Sequence, residues 1–318
     1  MYDVILIVAP VFGLIVLGFL LSRQAIMSEE AGNGLAEFVF IVAVPALLFR
    51  MMVTADMPEG ASPLAMWGSF YLAAALLWFV ATLAARFLLR RSARDGAAIA
   101  MGSTFGNVVM LGIPLALDRF GPEAATPIAI IISISSPLFW SAATFHVELV
   151  TEREEVTWAR QARELVLSLI KNPLILSLVA GLAWRATGLG LHPIPDKMIS
   201  LLGQAAIPAS LVALGLGLTA FRLQGQILTV AVICTLSLAV FPALVWVMAF
   251  HVFTLPPVWA GVAVLFAACP PGANAFLFAS RYDAAKGSIS AAVALGTVLS
   301  IVSVTILLIL LSKQIPPV

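Results

Sequence analysis

Two asparagines lie inside long apolar segments, each close to residues that interrupt a helix. Asn107 is followed by Gly112 and Pro114, and Asn274 follows the run Pro270-Pro271-Gly272. Proline removes a backbone donor and clashes with the preceding turn, so an interrupted helix leaves backbone amides that can bind an anion. A carboxamide can also donate two hydrogen bonds to a carboxylate without bringing a charge. The two segments predict a binding site for a small organic anion, although each asparagine could instead cap the freed backbone.

Ser136 belongs to a third polar group, a patch of hydroxyls in an apolar segment between the two asparagines in sequence. These hydroxyls could line the same site or could serve close helix packing. Helix interruption is predicted at Pro114, Pro270, Pro271 and Gly272. The predicted substrate-binding residues are Asn107, Asn274, Gly112, Pro114, Pro270, Pro271, Gly272 and Ser136.

Residues typical of catalysis or metal binding do not form a recognisable set. The three histidines have no His-x-x-x-His spacing, and Cys234 and Cys269 lie inside apolar runs, as buried thiols do. We therefore expect no enzyme activity, no cofactor and no metal site. Acids are found near the ends of the apolar runs rather than in the middle, so transport driven by membrane potential or exchange is expected. His146 is the candidate if protons are coupled.

The elements that carry these residues are membrane helices. Of the 318 residues, 62% are hydrophobic and 10% are charged, a composition that requires lipid as solvent. The net charge of +1 disfavours a nucleic-acid partner. Asp3, without Lys or Arg, precedes the first apolar run, so that run is expected to be a retained span. The ten predicted spans are residues 4–21, 34–53, 64–89, 97–117, 126–147, 169–187, 198–221, 227–250, 258–280 and 288–311.

The loop charges predict the orientation of these spans. Of the 17 Lys and Arg residues, 12 fall in the odd-numbered connections and 5 on the other side. Because basic loops stay cytoplasmic, both termini should face the periplasm or the cell exterior of a bacterial inner membrane. The longest connection, 148–168, is expected to be a cytoplasmic amphipathic joint.

The two halves of the chain share a spacing of marker residues. Pro10 and Pro173, Gly18 and Gly181, and Pro45 and Pro208 each differ by 163 positions, and the two asparagines differ by 167. These residue types are common in membrane helices, so chance is the alternative. An odd number of helices per copy makes the repeat inverted, which suits alternating access. The predicted units are residues 1–150, a linker at 151–168, and residues 169–318.

Five short motifs are spread over nearly the whole chain: Val44-Pro-Ala-Leu-Leu-Phe49, Gly106-Asn-Val-Val-Met-Leu-Gly-Ile-Pro-Leu115, Lys171-Asn-Pro-Leu174, Ile207-Pro-Ala-Ser210 and Pro270-Pro-Gly-Ala-Asn-Ala275. Together they resemble one known family, the auxin efflux carriers, which include plant exporters and bacterial malonate-carrier-like proteins. The resemblance implies ten helices in two inverted five-helix repeats, with helices four and nine broken and crossing near the substrate. It also implies that Asn107 and Asn274 contact an anion.

The same resemblance implies a division of the helices and an assembly. Helices 1, 2, 6 and 7 would form a scaffold that also makes a homodimer, and helices 3–5 and 8–10 would form a transport domain. The chain lacks the long central loop of the plant exporters, so auxin itself is not the expected substrate. Two other functions stay open: a sodium-coupled organic anion symporter similar to the bile-acid carriers, and a membrane receptor that binds without transporting.

Overall fold

The computed structural model describes residues 2–54, 60–150 and 158–315. Within these ranges the secondary structure is helical, and one isolated antiparallel bridge joins Gly106 to Pro271. The all-α class is therefore confirmed for the described part of the chain. Its α-helices are α1 (Tyr2–Arg23), α2 (Glu29–Phe38), α3 (Val44–Thr54), α4 (Pro63–Leu83), α5 (Ala93–Thr104), α6 (Ile113–Phe120), α7 (Ala125–Val150), α8 (Trp158–Lys171), α9 (Pro173–Ala186), α10 (Pro193–Leu218), α11 (Ile227–Thr235), α12 (Phe241–Val247), α13 (Pro257–Ala267), α14 (Ala273–Arg281) and α15 (Lys286–Gln314).

Short π-helical turns carry several of these helices through a proline. Turns at Val39–Ala43, Val108–Gly112 and Leu236–Val240 each end two residues before a proline. The wider turn moves the carbonyl that a proline ring would otherwise strike. Pro114 is one of these prolines and lies in the first turn of α6, where it is tolerated. The prediction of a helix interruption at Pro114 is therefore wrong, since helical structure is continuous from residue 108 to residue 120.

Seven helical stretches of the described ranges are long and apolar enough to cross a membrane, or eight if the end of α8 and α9, bent by 66°, count as one. Two features account for the difference between eight stretches and the ten predicted spans. The stretch Val108–Val150 has 43 residues and would measure about 65 Å if straight, twice the apolar thickness of a bilayer. The pair α13 and α14 is divided into helices of 11 and 9 residues. The chain is a multi-pass membrane protein, and the ten-span count stays a prediction.

A first helix group consists of α1, α2, α3, α9 and α10, in which α1 packs on α10 and α3 packs on α9. Glycines permit the closest approaches. A Cβ at Gly18 would overlap the carbonyl oxygen of Val212, and a Cβ at Gly181 would lie 2.7 Å from the carbonyl oxygen of Phe49. The two glycines differ by 163 positions, and so do Phe49 and Val212. The same contact is thus made twice, with the roles of the two halves exchanged.

Apart from α8, which connects α7 to α9, the remaining helices are α4 to α7 and α11 to α15. They form a second helix group whose centre is α5 and α13. Residues 97–104 of α5 and 259–267 of α13 are buried on every side, which is why neither helix shows an amphipathic pattern. Matching ends recur here as well: π-helical turns at Ala84–Leu88 and Met248–Val252 lie 164 positions apart. Each is followed by a left-handed residue, Arg90 with φ 52° and Thr254 with φ 45°.

The predicted linker at 151–168 is described only in part. Residues 151–157 lie outside the described ranges, and α8 begins at Trp158 and runs to Lys171. Asn172 then caps α9 by accepting a hydrogen bond from the Leu174 amide at 2.9 Å. The chain thus enters the second half through a helix whose last residues turn sharply into α9.

Candidate functional site

The centre of the second helix group is a crossing of two interrupted segments. Residues 105–107 separate α5 from the helical stretch 108–120, and residues 268–272 separate α13 from α14. The Asn107 amide donates to the Pro270 carbonyl at 2.8 Å, and the Gly272 amide donates to the Phe105 carbonyl at 3.2 Å. These two bonds pair the segments as a two-residue antiparallel bridge. Each interruption therefore satisfies backbone groups that the other leaves open.

Small residues are required where the segments cross. A Cβ on Gly106 would lie 2.8 Å from the carbonyl oxygen of Cys269, and one on Gly296 of α15 would lie 2.9 Å from the Pro271 ring. Gly112 is buried, and its Cβ position lies 3.0 Å from the Cys269 sulfur. Gly112 is thus placed in helix packing rather than at an open surface. Gly272 is less crowded, since its nearest neighbour is the Cα of Asn107 at 3.4 Å.

The crossing leaves several backbone donors free. Pro270 and Pro271 have no amide, which reduces the number of donors that need a partner at the crossing. Among the described residues, the amides of Gly106, Ala273 and Asn274 have no hydrogen-bond acceptor. The last two belong to the first turn of α14, where amides point away from the helix and carry partial positive charge.

The two asparagines have different local roles. Asn107 is the N-cap of the stretch 108–120, and its Oδ1 accepts a hydrogen bond from the Met110 amide at 3.4 Å. Its Nδ2 group has no acceptor within the described ranges. Asn274 is half-buried in the first turn of α14, and no described residue hydrogen-bonds to its carboxamide. Capping thus accounts for one oxygen of Asn107 but not for the amide donors of either residue.

Two side-chain contacts join α7, which carries Ser136, to α14, which carries Asn274. Trp140 packs edge-on against Phe278 with ring centroids 5.6 Å apart, and the Tyr282 hydroxyl donates to Thr144 Oγ1 at 3.3 Å. Both pairs are separated by 138 positions, so the two helices run in the same direction. Continued by one turn towards the crossing, the same offset of 138 positions would bring Ser136 level with Asn274.

Aromatic residues line the crossing beside these polar groups. Phe105, in the interruption itself, stacks on Phe139 of α7 with ring centroids 5.0 Å apart and an interplanar angle of 23°. Tyr71 of α4 packs on Phe139, and its hydroxyl donates to the Ile131 carbonyl at 2.7 Å and contacts Ser135 Oγ at 2.8 Å. Sequence analysis missed these aromatic residues, because nothing in their spacing distinguishes them from other apolar helix positions.

Two cavities lie between the helix groups, and neither is lined by the asparagines. One, of about 770 Å³, is lined by α3 together with residues 121–126 and 256–259, and the other, of about 540 Å³, by α1, α15 and residues 218–223. Leu117, at the edge of the larger cavity, is ten residues beyond Asn107, which corresponds to about 15 Å along a helix. Among the described residues, no three His, Cys, Asp or Glu side chains are grouped as metal ligands.

Comparison with known proteins places the chain in a family. The model of a family described as membrane transport protein matches residues 3–308. A Rhizobium meliloti protein named "Putative malonate transporter" is 29% identical over 96% of this chain and 95% of its own length. Auxin efflux carrier component 8 of Arabidopsis thaliana is 24% identical over 94% of this chain and 95% of its own. An uncharacterized transporter of Methanothermobacter thermautotrophicus is 24% identical over 93% and 94%. The chain therefore belongs to this family of membrane transport proteins, and its resemblance to the auxin efflux carriers is confirmed.

Proposed function

We propose that this protein is a secondary transporter that binds a small organic carboxylate where the two interrupted segments cross. One observation carries the proposal: the amides of Gly106, Ala273 and Asn274 and the carboxamides of both asparagines are donors without acceptors among the described residues. Ala273 is exposed and both asparagines are half-buried, so these donors are open to a ligand that supplies acceptors. A carboxylate has only acceptors and about four lone-pair positions.

The charge of the site supports an anion over a neutral ligand. Asn107 begins the helical stretch 108–120 and Gly272 begins α14, so two helix N-termini lie at the crossing. Their partial positive charges stabilise an anion without a Lys or Arg. Ser136, aligned with Asn274, adds a hydroxyl that can donate to the same carboxylate.

Alternating access is the mechanism that the internal symmetry favours. The contact of Gly18 with Val212 recurs as Gly181 with Phe49, at the predicted offset of 163 positions. The parallel packing of α7 and α14 agrees with a ten-span topology, in which spans five and nine cross the membrane in the same direction. Two inverted copies of one bundle allow inward-open and outward-open arrangements of similar energy.

In this mechanism the first helix group is the scaffold and the second group carries the substrate, in an elevator-like movement. We propose that two chains form a homodimer through the scaffold. We also propose that the protein lies in the bacterial inner membrane with both termini outside, because basic residues concentrate in the opposite loops.

Malonate is the first substrate to test, because the Rhizobium relative carries malonate in its name. One elementary charge gains about 2.3 kcal/mol per 100 mV of membrane potential, which favours export of an anion or its exchange against another. A sodium-coupled symporter would instead require a sodium gradient, and a receptor would bind malonate without accumulating it.

The test is counterflow in proteoliposomes loaded with malonate and placed in labelled malonate. The expected result is transient accumulation of label without sodium, with loss of most of it in Asn274→Ala. Asn33→Ala is the matched control, since Asn33 is exposed on α2 in the first helix group. Competition by a panel of mono- and dicarboxylates then defines the substrate class.

The outcomes separate the alternatives. Saturable binding without accumulation would identify a receptor, and flux that appears only with a sodium gradient would identify a symporter. Equal flux in Asn274→Ala and wild type would move the binding site away from the crossing.

A further inference from the structure

The larger cavity lies on the boundary between the two helix groups. Its first wall is the end of α3, with Leu47, Arg50 and Met51, and its second wall is made by residues 121–126 and 256–259. The cavity begins about 15 Å from the crossing along the helix that starts at Asn107. The predicted topology places this end of α3 on the outer face of the membrane. The cavity therefore lies where an anion from outside would approach the crossing.

Arg50 is the cation among the residues that line this cavity. Its Nε donates to Asp196 Oδ1 at 2.8 Å and its Nη2 donates to Oδ2 at 3.3 Å, which uses two of the five donors of a guanidinium. The other three have no acceptor among the described residues. Asp196 lies on α10 and does not line the cavity, so it holds one edge of Arg50 and leaves the other edge available.

Arg50 and Asp196 both belong to the first helix group, and their side chains are 40% and 34% exposed. The second wall contributes an acid, the exposed Glu123. An anion in the cavity would therefore be attracted by one charge and repelled by two. Because an arginine can bind a second carboxylate through its free edge, the ion pair need not break.

We propose that Arg50 binds a substrate carboxylate in this cavity, as the first contact of an anion on its way to the crossing. This proposal rests on the proposed transport of an organic carboxylate. Arg50 lies far from the crossing where the substrate is carried. Its replacement should therefore change the KM only for substrate that arrives from the outer side of the membrane. Neutralising Arg50 should raise this KM, whereas neutralising Asp196 or Glu123 should lower it.

The experiment compares the KM for malonate in right-side-out and inside-out vesicles from an expressing host. In right-side-out vesicles Arg50→Gln should raise KM about two- to fivefold with little change in kcat, the range expected for the loss of a partly exposed charge. Asp196→Asn and Glu123→Gln should each lower KM about two- to fivefold. High salt should shrink all three effects. Lys197→Gln, at the next position of α10 and outside the cavity lining, should leave KM within about twofold of wild type.

A purely structural ion pair predicts a different pattern. Arg50→Gln and Asp196→Asn would then shift KM in the same direction and lower the unfolding temperature together. That pattern, or an equal KM shift in both vesicle orientations, would overturn the proposal for Arg50. Wild-type vesicles without malonate flux would overturn the proposed function and this inference with it, whereas flux with unchanged KM in Arg50→Gln would overturn this inference alone.

Discussion

Asn107 has two separable properties, a capping oxygen and an amide donor, and three substitutions distinguish them. Its Oδ1 caps the Met110 amide, and its Nδ2 has no acceptor among the described residues. Asn107→Ala removes both groups. Asn107→Ser keeps a capping oxygen and loses the amide donor, and Asn107→Asp keeps the cap while it adds a negative charge at the proposed anion site.

The structure allows rough magnitudes. Loss of an N-cap costs about 0.5–2 kcal/mol, and the long 3.4 Å contact places Asn107→Ala near the lower end. A hydrogen bond to a charged group contributes about 1.5–3 kcal/mol, so loss of the amide donor should weaken malonate binding about 10- to 150-fold. In Asn107→Asp, repulsion of about 4 kcal/mol between charges 4 Å apart, at an effective dielectric constant near 20, should abolish binding.

The assay measures the unfolding temperature and the malonate Kd of each variant in the same detergent. We expect Asn107→Asp to be as stable as wild type but unable to bind malonate. Asn107→Ser should be nearly as stable and should bind weakly. Wild-type affinity in Asn107→Asp would refute the reasoning, because a carboxylate cannot replace a carboxamide donor beside an anion. If the malonate Kd instead changed only in proportion to the unfolding temperature, Asn107 would be a helix cap and not a contact of the anion.

Three further predictions concern packing. Gly106→Ala should cost about 1–3 kcal/mol of unfolding free energy, because its Cβ would lie 2.8 Å from the Cys269 carbonyl oxygen. The control Gly13→Ala, whose Cβ would have no atom within 4 Å, should be neutral. Equal unfolding temperatures of the two variants would contradict the close crossing of the two segments. Gly181→Ala should destabilise in the same way, since its Cβ would lie 2.7 Å from two α3 atoms, and a neutral result would contradict the packing of α9 on α3. Ser136→Cys combined with Asn274→Cys should be linked by a bifunctional maleimide reagent that bridges more than about 7 Å, seen by mass spectrometry; failure to form the crosslink would contradict the shared register of α7 and α14.

The two interruptions in the structure differ in how they relate to the prolines of the sequence. Pro270-Pro271-Gly272 cannot continue a helix, and the structure interrupts span nine at these residues. In span four the interruption lies at residues 105–107, seven residues before Pro114. A π-helical turn accommodates Pro114, and the interruption depends on the close approach of Cys269 to Gly106. A single sequence does not reveal that contact, because its partners are 163 positions apart.

The paired glycines were a stronger signal than the aromatic residues. Gly18 and Gly181 stood out because they share the offset of 163 positions with two proline pairs. In the structure both lie at close helix approaches, which small residues permit. Phe105 and Phe139 gave no comparable signal, since an apolar helix position looks the same whether it faces lipid, a neighbouring helix or a site. Their stacking follows from tertiary packing of α7 beside the interruption.

The distribution of close backbone contacts bears on how the protein could move. The bonds of the crossing join Phe105 and Asn107 to Gly272 and Pro270, all within the second helix group. The glycine contacts of Gly18 and Gly181 lie wholly within the first group. Each group is therefore held together by backbone contacts that would be costly to break, while cavities separate parts of the boundary between them. A movement of one group against the other would carry the proposed anion site intact. It would change only the boundary between the groups, through which we propose that the anion arrives and leaves.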